Sequence, residues 1–174
     1  MRVTVSGPPG SGTTSLSEYL ILKHGFTLIS AGEVFRTMAA EKGMDLADFG
    51  RLAEEDPSVD RLIDERQKEI GEFKDNIVIE GRLAGHMIDN ADLKIWVSAS
   101  IECRALRIAE REGLSPAVAA DLTAERDECE AGRYAGYYEI DISDLSVYDL
   151  VVSSEKWGRD ELGRIIDVAI ENLN

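Results

Sequence analysis

A glycine-rich turn near the amino terminus reads Gly7-Pro8-Pro9-Gly10-Ser11-Gly12-Thr13-Thr14-Ser15. A short apolar stretch, residues 2–6, precedes it, and a segment with helical periodicity, residues 15–24, follows it. A strand, a glycine-rich loop and a helix in this order form a nest of backbone amides that binds phosphate groups. The hydroxyl of Thr14 stands where such a loop ligates Mg²⁺. We therefore expect residues 7–15 to bind the phosphates of a ligand.

Position 13 departs from the usual pattern of this loop. The pattern has a lysine before the final hydroxyl residue, and Thr13 stands there instead. That lysine normally places a positive charge on the β- and γ-phosphates of a nucleotide. Either the loop binds phosphate without catalysis or another cation replaces the lysine, and the distribution of arginines favours replacement.

Apolar, strand-like stretches recur along the chain at intervals too long for hairpins. The predicted strands are residues 2–6, 26–30, 77–80, 93–97 and 148–152. Segments with helical periodicity separate them, at residues 15–24, 34–42, 59–73, 101–111, 116–134 and 160–172. This alternation implies right-handed crossovers and a parallel sheet with helices on both faces. We interpret residues 1–174 as a single α/β domain, in which the helical stretch between the second and third strands is an insertion.

Composition excludes several classes of protein. The 174 residues carry 19 Lys and Arg against 34 Asp and Glu, a formal net charge of −15. This acidity argues against partners such as nucleic-acid polymers and anionic membranes, which need a basic surface. Two cysteines and two histidines, with no recognisable spacing, do not supply a zinc site. Since no apolar stretch approaches the ~20 residues of a membrane span, we expect a cytoplasmic monomer.

Arginines cluster in the second half of the chain. Arg104, Arg107 and Arg111 are three and four residues apart and share one helix face. Arg126 and Arg133, seven residues apart, also share a face. The alternative to a functional role is a solvated helix face, and for Arg104 and Arg111 the two interpretations are balanced. For Arg126 and Arg133 we favour function.

Two further groups of residues follow the second and third predicted strands. Ser30 ends one strand, and Arg36 lies one turn into the next helix, where it could reach a phosphate at the carboxyl edge of the sheet. The alternative for Arg36 is an exposed helix arginine. Glu80 ends the third strand near the phosphate loop, where it could hold Mg²⁺ through water. Gly81 then allows Arg82 to approach a second ligand.

These residues together resemble the nucleoside monophosphate kinases, and most closely the cytidylate kinases of archaeal type. The resemblance extends through nearly the whole chain. Besides the phosphate loop it rests on Ser30-Ala31-Gly32-Glu33-Val34-Phe35-Arg36, Glu80-Gly81-Arg82-Leu83-Ala84-Gly85, and residues 91–96, 123–134 and 140–146. The Arg126-Asp127…Glu130…Arg133 pattern is more specific than the phosphate loop, which many families share.

The resemblance implies a three-layer fold with a five-stranded parallel sheet, a helical monophosphate-binding insertion at residues 32–73 and a short lid at 107–126. It implies ATP with Mg²⁺ as the donor, and CMP and dCMP as acceptors. The implied donor-site residues are 7–15 for the ATP phosphates, with Thr14 and Glu80 for the metal. The implied acceptor-site residues are Ser30, Arg36, Gly81 and Arg82 for the monophosphate and Glu130 for the sugar. Arg107, Arg126 and Arg133 would gather around the transferring phosphoryl group.

Three alternatives remain open at this point. The chain could phosphorylate another monophosphate, AMP or UMP. It could be a small-molecule kinase of similar topology, such as a shikimate kinase. It could also be a non-catalytic ATP-binding module that has lost its lysine, although the Arg126–Arg133 pattern argues against a module without catalysis.

Overall fold

The sheet has five strands in the part of the chain that the structure describes. This computed structural model describes residues 1–44 and 74–173, with positions 48–49, 52–53, 56, 58–59, 61–63, 65 and 68–69 between them. The strands are β1 (Arg2–Ser6), β2 (Thr27–Ser30), β3 (Ile77–Glu80), β4 (Leu93–Ser98) and β5 (Leu150–Ser153). All neighbouring strands pair in parallel, in the order β2-β3-β1-β4-β5. The predicted parallel five-stranded sheet is confirmed.

Six helices have bounds within the described residues. They are α1 (Thr13–His24), α2 (Ala31–Glu41), α3 (Ala84–Met87), α4 (Ile101–Glu112), α5 (Pro116–Tyr138) and α6 (Arg159–Glu171). Serine caps begin two of them: the Ser100 hydroxyl accepts from the amide of Cys103, and the Ser115 hydroxyl accepts from that of Val118. Between these two helices, Gly113 ends α4 in the left-handed conformation with φ of 69°.

Hydrophobic residues cover both faces of the sheet. On one face, Val3, Val5 and Val97 pack with Leu16 and Leu20 of α1 and with the buried leucine and isoleucine of α6. On the other face, isoleucines of β2 and β3 pack with α3 and the turn after it. Burial on two sides explains why these strands are continuous β-branched runs rather than alternating patterns. The result is the predicted three-layer α/β architecture.

The parallel arrangement brings the carboxyl ends of the strands to one edge. Glu80 at the end of β3 pairs in register with Ser30 of β2 and with Val5 of β1. The central strand β1 leads directly into the glycine-rich loop. Because β1 lies between β3 and β4, this edge is the switch point at which open α/β sheets bind ligands.

The predicted insertion at residues 32–73 is described in part. Helix α2 begins it, and buried residues at described positions form a cluster distinct from the sheet core: Met38, Ala39, Phe49, Ala53, Val59 and Ile63. In the helix predicted over 59–73, the described residues are helical, while positions 60, 64, 66–67 and 70–73 lie outside the described residues. The role of the insertion and of the lid at 107–126, and the single-domain reading of 1–174, stay predictions.

Several element boundaries differ from those the sequence predicts. Helix α1 begins at Thr13 rather than 15, α2 at Ala31 rather than 34, and α5 continues to Tyr138. Strand β5 begins at Leu150 rather than 148, because the amide of Tyr148 donates to the carbonyl of Leu145 in a turn. The single-turn helix α3 has no predicted counterpart. No helix among the described residues is both long and apolar enough to cross a membrane.

Candidate active site

The glycine-rich loop wraps around the amino end of α1. Gly10 and Gly12 have φ of 78° and 99°, values that favour glycine, and the amide of Leu16 donates to the Gly12 carbonyl at 3.1 Å. At Gly7 a Cβ would lie 2.3 Å from the carbonyl oxygen of Val97, so no larger residue fits there. The positive end of the helix dipole and the loop amides therefore face the same space, as phosphate binding requires.

Two hydroxyls of this loop converge on one carboxylate. Thr14 Oγ1 donates to Glu80 Oε1 at 2.7 Å, and Thr13 Oγ1 donates to the same oxygen at 2.8 Å. The proximity of Glu80 to the loop follows from the strand ends, as the sequence predicts. Hydroxyl and carboxylate oxygens are the ligands that Mg²⁺ prefers, so this donor set fits the metal.

Arg107 of α4 contacts the loop from the side. Its guanidinium donates to the Gly10 carbonyl at 3.1 Å, and to both the hydroxyl and the carbonyl oxygen of Ser154 at 2.9 Å. The Ser154 hydroxyl in turn donates to the Ser11 carbonyl at 2.5 Å. These bonds join α4, the phosphate loop and the segment that follows β5, and they place a permanent positive charge beside the loop.

A second cationic group forms around Glu130 of α5. Glu130 Oε2 accepts from Arg82 Nε at 2.5 Å, and Oε1 accepts from Arg126 Nε at 2.8 Å. Arg82 also donates to the carbonyl of Gly7, which connects this group to the phosphate loop. Burial by itself would raise the pKa of Glu130, but the Arg82 and Arg126 guanidiniums hold the pKa of that carboxyl below its ordinary value. Glu130 is therefore ionised at neutral pH and holds two arginines in place.

The remaining predicted site residues lie around these two groups. Ser30 and exposed Arg36 both lie near Gly32 at the start of α2, since a Cβ on Gly32 would lie 3.6 Å from the Ser30 hydroxyl and 3.5 Å from an Arg36 guanidinium nitrogen. Half-buried Arg133 follows Glu130 on α5. Within the described part of the chain, no direct hydrogen bond links the Ser30–Arg36 pair to the group around Glu130.

The sequence does not decide between a functional role and a solvated helix face for Arg104 and Arg111. In the structure their environments differ. Arg104 is buried, forms a bidentate pair with Asp127 at 3.1 and 2.5 Å, and donates to the Pro9 carbonyl at 3.3 Å. Arg104 therefore stabilises the phosphate loop through its contact with Pro9. Arg111 is 62% exposed and pairs with the adjacent Glu112, so its position is a solvated helix face.

The structure adds residues after β5 that the sequence reasoning missed. A cavity of about 210 Å³ adjoins the phosphate loop, and its lining includes Ser15, Arg107, Ser154, Trp157 and Arg159. The signal was available, because Ser154 and Trp157 follow the carboxyl end of a predicted strand, at the edge where the other site residues lie.

Comparisons with known proteins agree with this geometry. The sequence profile described as the cytidylate kinase-like family matches residues 2–156. A cytidylate kinase of Methanoculleus marisnigri is 64% identical over 99% of this chain and 96% of its own length. A cytidylate kinase of Methanoregula boonei is 59% identical with the same coverage of both chains.

Solved structures extend the likeness to the fold. A shikimate kinase from Bacteroides thetaiotaomicron superposes with a TM-score of 0.70, covering 98% of both chains at 12% identity. An uncharacterized protein from Eubacterium ventriosum superposes with a TM-score of 0.74, covering 99% of both chains at 18% identity. At such identities the likeness shows the fold alone. On the sequence evidence, the resemblance is confirmed, and the chain belongs to the cytidylate kinase-like family, nucleoside monophosphate kinases that use ATP as co-substrate.

Proposed function

We propose that this chain transfers the γ-phosphoryl group of ATP to CMP and dCMP in a Mg²⁺-dependent reaction. The observation that carries the proposal is the identity of 64% with a cytidylate kinase over 99% of the chain. The site geometry supports it, since a phosphate loop and a group of arginines lie at one edge of the sheet.

The donor side consists of the phosphate loop and the cavity beside it. Loop amides and Ser15 would bind the triphosphate, and Thr14 and Glu80 would hold the metal, which would supply positive charge to the phosphate groups. The indole of Trp157, which is 49% exposed, and the guanidinium of Arg107 offer flat surfaces in the cavity. Such surfaces stack against a nucleobase.

The acceptor side consists of Ser30, Arg36, Gly81 and Arg82, which bind the monophosphate. Glu130 holds Arg82 and Arg126 toward this space through its two carboxylate oxygens. Its predicted contact with the acceptor sugar adds to this role, because a carboxylate oxygen has lone pairs for more than one donor.

Arg107, Arg126 and Arg133 act on the transferring group. Phosphoryl transfer spreads negative charge over the equatorial oxygens, and guanidiniums bind such oxygens in bidentate fashion without losing their charge. The acceptor phosphate is itself an anionic nucleophile, so the reaction requires no side-chain base. Closure of residues 107–126 over both substrates would exclude water that otherwise hydrolyses ATP.

We place the reaction in the cytoplasm and in a monomer, without a membrane or nucleic-acid partner. The net charge of −15 supports the absence of membrane and nucleic-acid partners, because it repels anionic lipid and nucleic-acid surfaces.

An acceptor panel tests the proposal. ADP release from Mg·ATP is followed with CMP, dCMP, UMP, AMP or shikimate, and without an acceptor. We expect CMP and dCMP to exceed every other acceptor in kcat/KM by about tenfold or more, which corresponds to roughly 1.4 kcal/mol of discrimination. A tenfold preference for AMP would contradict the cytidylate assignment, and ADP release independent of any acceptor would contradict a monophosphate kinase altogether.

Arg36 provides a prediction for the acceptor side. Arg36→Ala removes a contact to the acceptor phosphate and should raise the KM for CMP several-fold more than the KM for ATP, as steady-state kinetics can measure. Arg164→Ala is the control, because Arg164 is exposed on α6 and pairs with Glu161. Equal changes in both KM values would place Arg36 on a solvated helix face instead.

A further inference from the structure

Two contacts hold the side chain of Thr13 in one orientation. Its hydroxyl donates to Glu80 Oε1 at 2.8 Å. Its methyl group packs toward Gly7, where it would lie 3.1 Å from an added Cβ. A β-branched side chain has few χ1 rotamers, and these two contacts select one of them. Thr13 therefore faces the carboxylate rather than solvent.

The neighbouring hydroxyl converges on the same atom. Thr14 Oγ1 lies 2.7 Å from Glu80 Oε1, so two hydroxyls from the start of α1 and one carboxylate from the end of β3 form a three-oxygen cradle. A hydroxyl that donates to a carboxylate keeps its lone pairs available. The cradle thus combines hard oxygen donors with one negative charge, the chemistry of a divalent-cation site.

Nearby cations are engaged in other contacts. Arg104 pairs with Asp127, Arg107 binds Gly10 and Ser154, and Arg126 pairs with Glu130. With a threonine at position 13, the loop itself brings no side-chain cation to the β- and γ-phosphates, in contrast to the usual loop. A cation in the cradle formed by Thr13, Thr14 and Glu80 would lie at the same end of α1.

We propose that Thr13 is a positioning residue: with Thr14 it orients Glu80 toward a bound divalent cation, on which ATP binding to this lysine-free loop relies. This inference rests on the proposed function, because ATP is taken as the ligand. Binding of ATP to this loop then depends strongly on the divalent cation. A lysine at position 13 would pair with Glu80 and remove that dependence.

Binding measurements without turnover test the proposal. Affinity for a non-hydrolysable ATP analogue is measured by calorimetry with Mg²⁺ or with EDTA, and Mn²⁺ affinity of the analogue-saturated protein is measured by electron paramagnetic resonance. The variants are Thr13→Val, which keeps the shape without the hydroxyl, Thr13→Ser, which keeps the hydroxyl, and Thr13→Lys. Thr27→Val, an exposed threonine at the opposite edge of the sheet, is the matched control.

Thr13→Val should weaken Mn²⁺ binding by roughly tenfold or more, the usual effect of losing a residue that orients a metal ligand. The Mn²⁺ affinity of Thr13→Ser and of Thr27→Val should stay within about threefold of that of the original chain, a smaller change than the loss of an orienting residue causes. Thr13→Lys should bind the analogue in EDTA at least about tenfold more tightly than the original chain does, because lysine supplies the missing charge.

Unchanged Mn²⁺ affinity in Thr13→Val, or equal losses in Thr13→Val and Thr13→Ser, would overturn the proposal and leave Thr13 a packing residue. Circular dichroism establishes that each variant is folded before binding is compared. CMP-dependent ADP release by the original chain is measured in parallel. Normal release combined with unchanged Thr13→Val affinity would refute this inference while the proposed function stands, whereas absence of analogue binding by the original chain would refute both.

Discussion

Gly85 illustrates how one residue shapes the region behind the phosphate loop. Its amide donates to the Ser6 hydroxyl at 3.1 Å, immediately before the loop begins. A Cβ on Gly85 would lie 2.3 Å from the ring of Tyr148, which also packs against His86 and Trp96. The Tyr148 ring is so well enclosed that burial raises the pKa of its hydroxyl to about 12. The absence of a side chain at Gly85 therefore allows Tyr148 to close over the end of β1.

Gly85→Ala should destabilise the protein, because its new methyl group must displace a buried ring. We expect the free energy of unfolding to fall by about 1–3 kcal/mol, the usual cost of overpacking. In contrast, Gly136→Ala on α5 meets no atom within 4 Å and should raise it by about 0.5 kcal/mol through helix propensity. Urea unfolding measures both, and equal stabilities of the two variants would contradict the packing argument.

Sequence patterns predict the contacts of some residues and not of others. The proximity of Thr14 and Glu80 follows from two strand ends at one sheet edge, so it could be predicted. The contact between Gly85 and Tyr148 could not, because no periodic pattern joins the short helix α3 to a turn that is distant in sequence. Glu130 was expected to face a sugar, and its double pairing with Arg82 and Arg126 became visible only when β3 and α5 were placed together.

Helices α4 and α5 act as one element beside the phosphate loop. They pack through a small apolar cluster that includes Ala105, Ile108 and Ala119. Arg104 fastens this hairpin to the loop, because its guanidinium contacts both Asp127 of α5 and the Pro9 carbonyl. The position of the two helices that carry Arg107 and Arg126 therefore depends on a partly buried ion pair.

Arg104→Met keeps the apolar stem of the side chain but removes its charge. We expect the free energy of unfolding to fall by about 2 kcal/mol, less than for a fully buried pair because Asp127 remains partly exposed. Arg111→Met, on the same helix but exposed, should change it by less than about 0.5 kcal/mol. Chemical denaturation measures the free energy of unfolding of both variants. Similar losses of this free energy in both would show that burial of Arg104 has no energetic effect.

For secondary-structure elements, the sequence predicts the strands better than it predicts which helix residues are buried. Buried parallel strands are β-branched runs bounded by glycine or serine, which the pattern reveals directly. The four residues of α3 are too few to show a period. Arg104 and Arg111 share a helix face by spacing, and only the packing of α5 against α4 separates a buried arginine from a solvated one.

Across the whole molecule, acidic residues outnumber basic ones by 34 to 19, and several of them form hydrogen bonds that join elements of the fold. Asp167 accepts from the Tyr19 hydroxyl at 2.7 Å and contacts His24 at 2.7 Å, which links α6 to α1. Burial opposes ionisation of Asp167, but these bonds hold its pKa below the ordinary value. The pKa of Glu130 is also lowered, despite its burial, by two arginines.

Stability should therefore fall in acid. Carboxyls whose pKa is lowered in the folded state bind protons more readily when unfolded. Their stabilisation is therefore complete above pH ~5, begins to fall near the ordinary carboxyl pKa of ~4 and is lost as the pH falls through the lower pKa of the folded state. Thermal midpoints between pH 7 and pH 3 should decrease, and Asp167→Asn should lose less of its midpoint over this interval than Asp160→Asn, whose aspartate is exposed. A midpoint that rises toward pH 3 would contradict this linkage.

The fold and family of the whole molecule could be predicted from the sequence, because the glycine-rich loop, the alternation of strands with helices and the Arg126–Arg133 pattern all indicate the same kind of protein. Transfer of a phosphoryl group from ATP to CMP can be followed directly through the fate of the label in γ-³²P-ATP incubated with CMP and Mg²⁺. The label should appear in CDP at a rate proportional to enzyme concentration, and it should remain in ATP when CMP is omitted. Label found only in inorganic phosphate, with none in CDP, would show that the chain hydrolyses ATP and does not transfer its phosphoryl group to CMP.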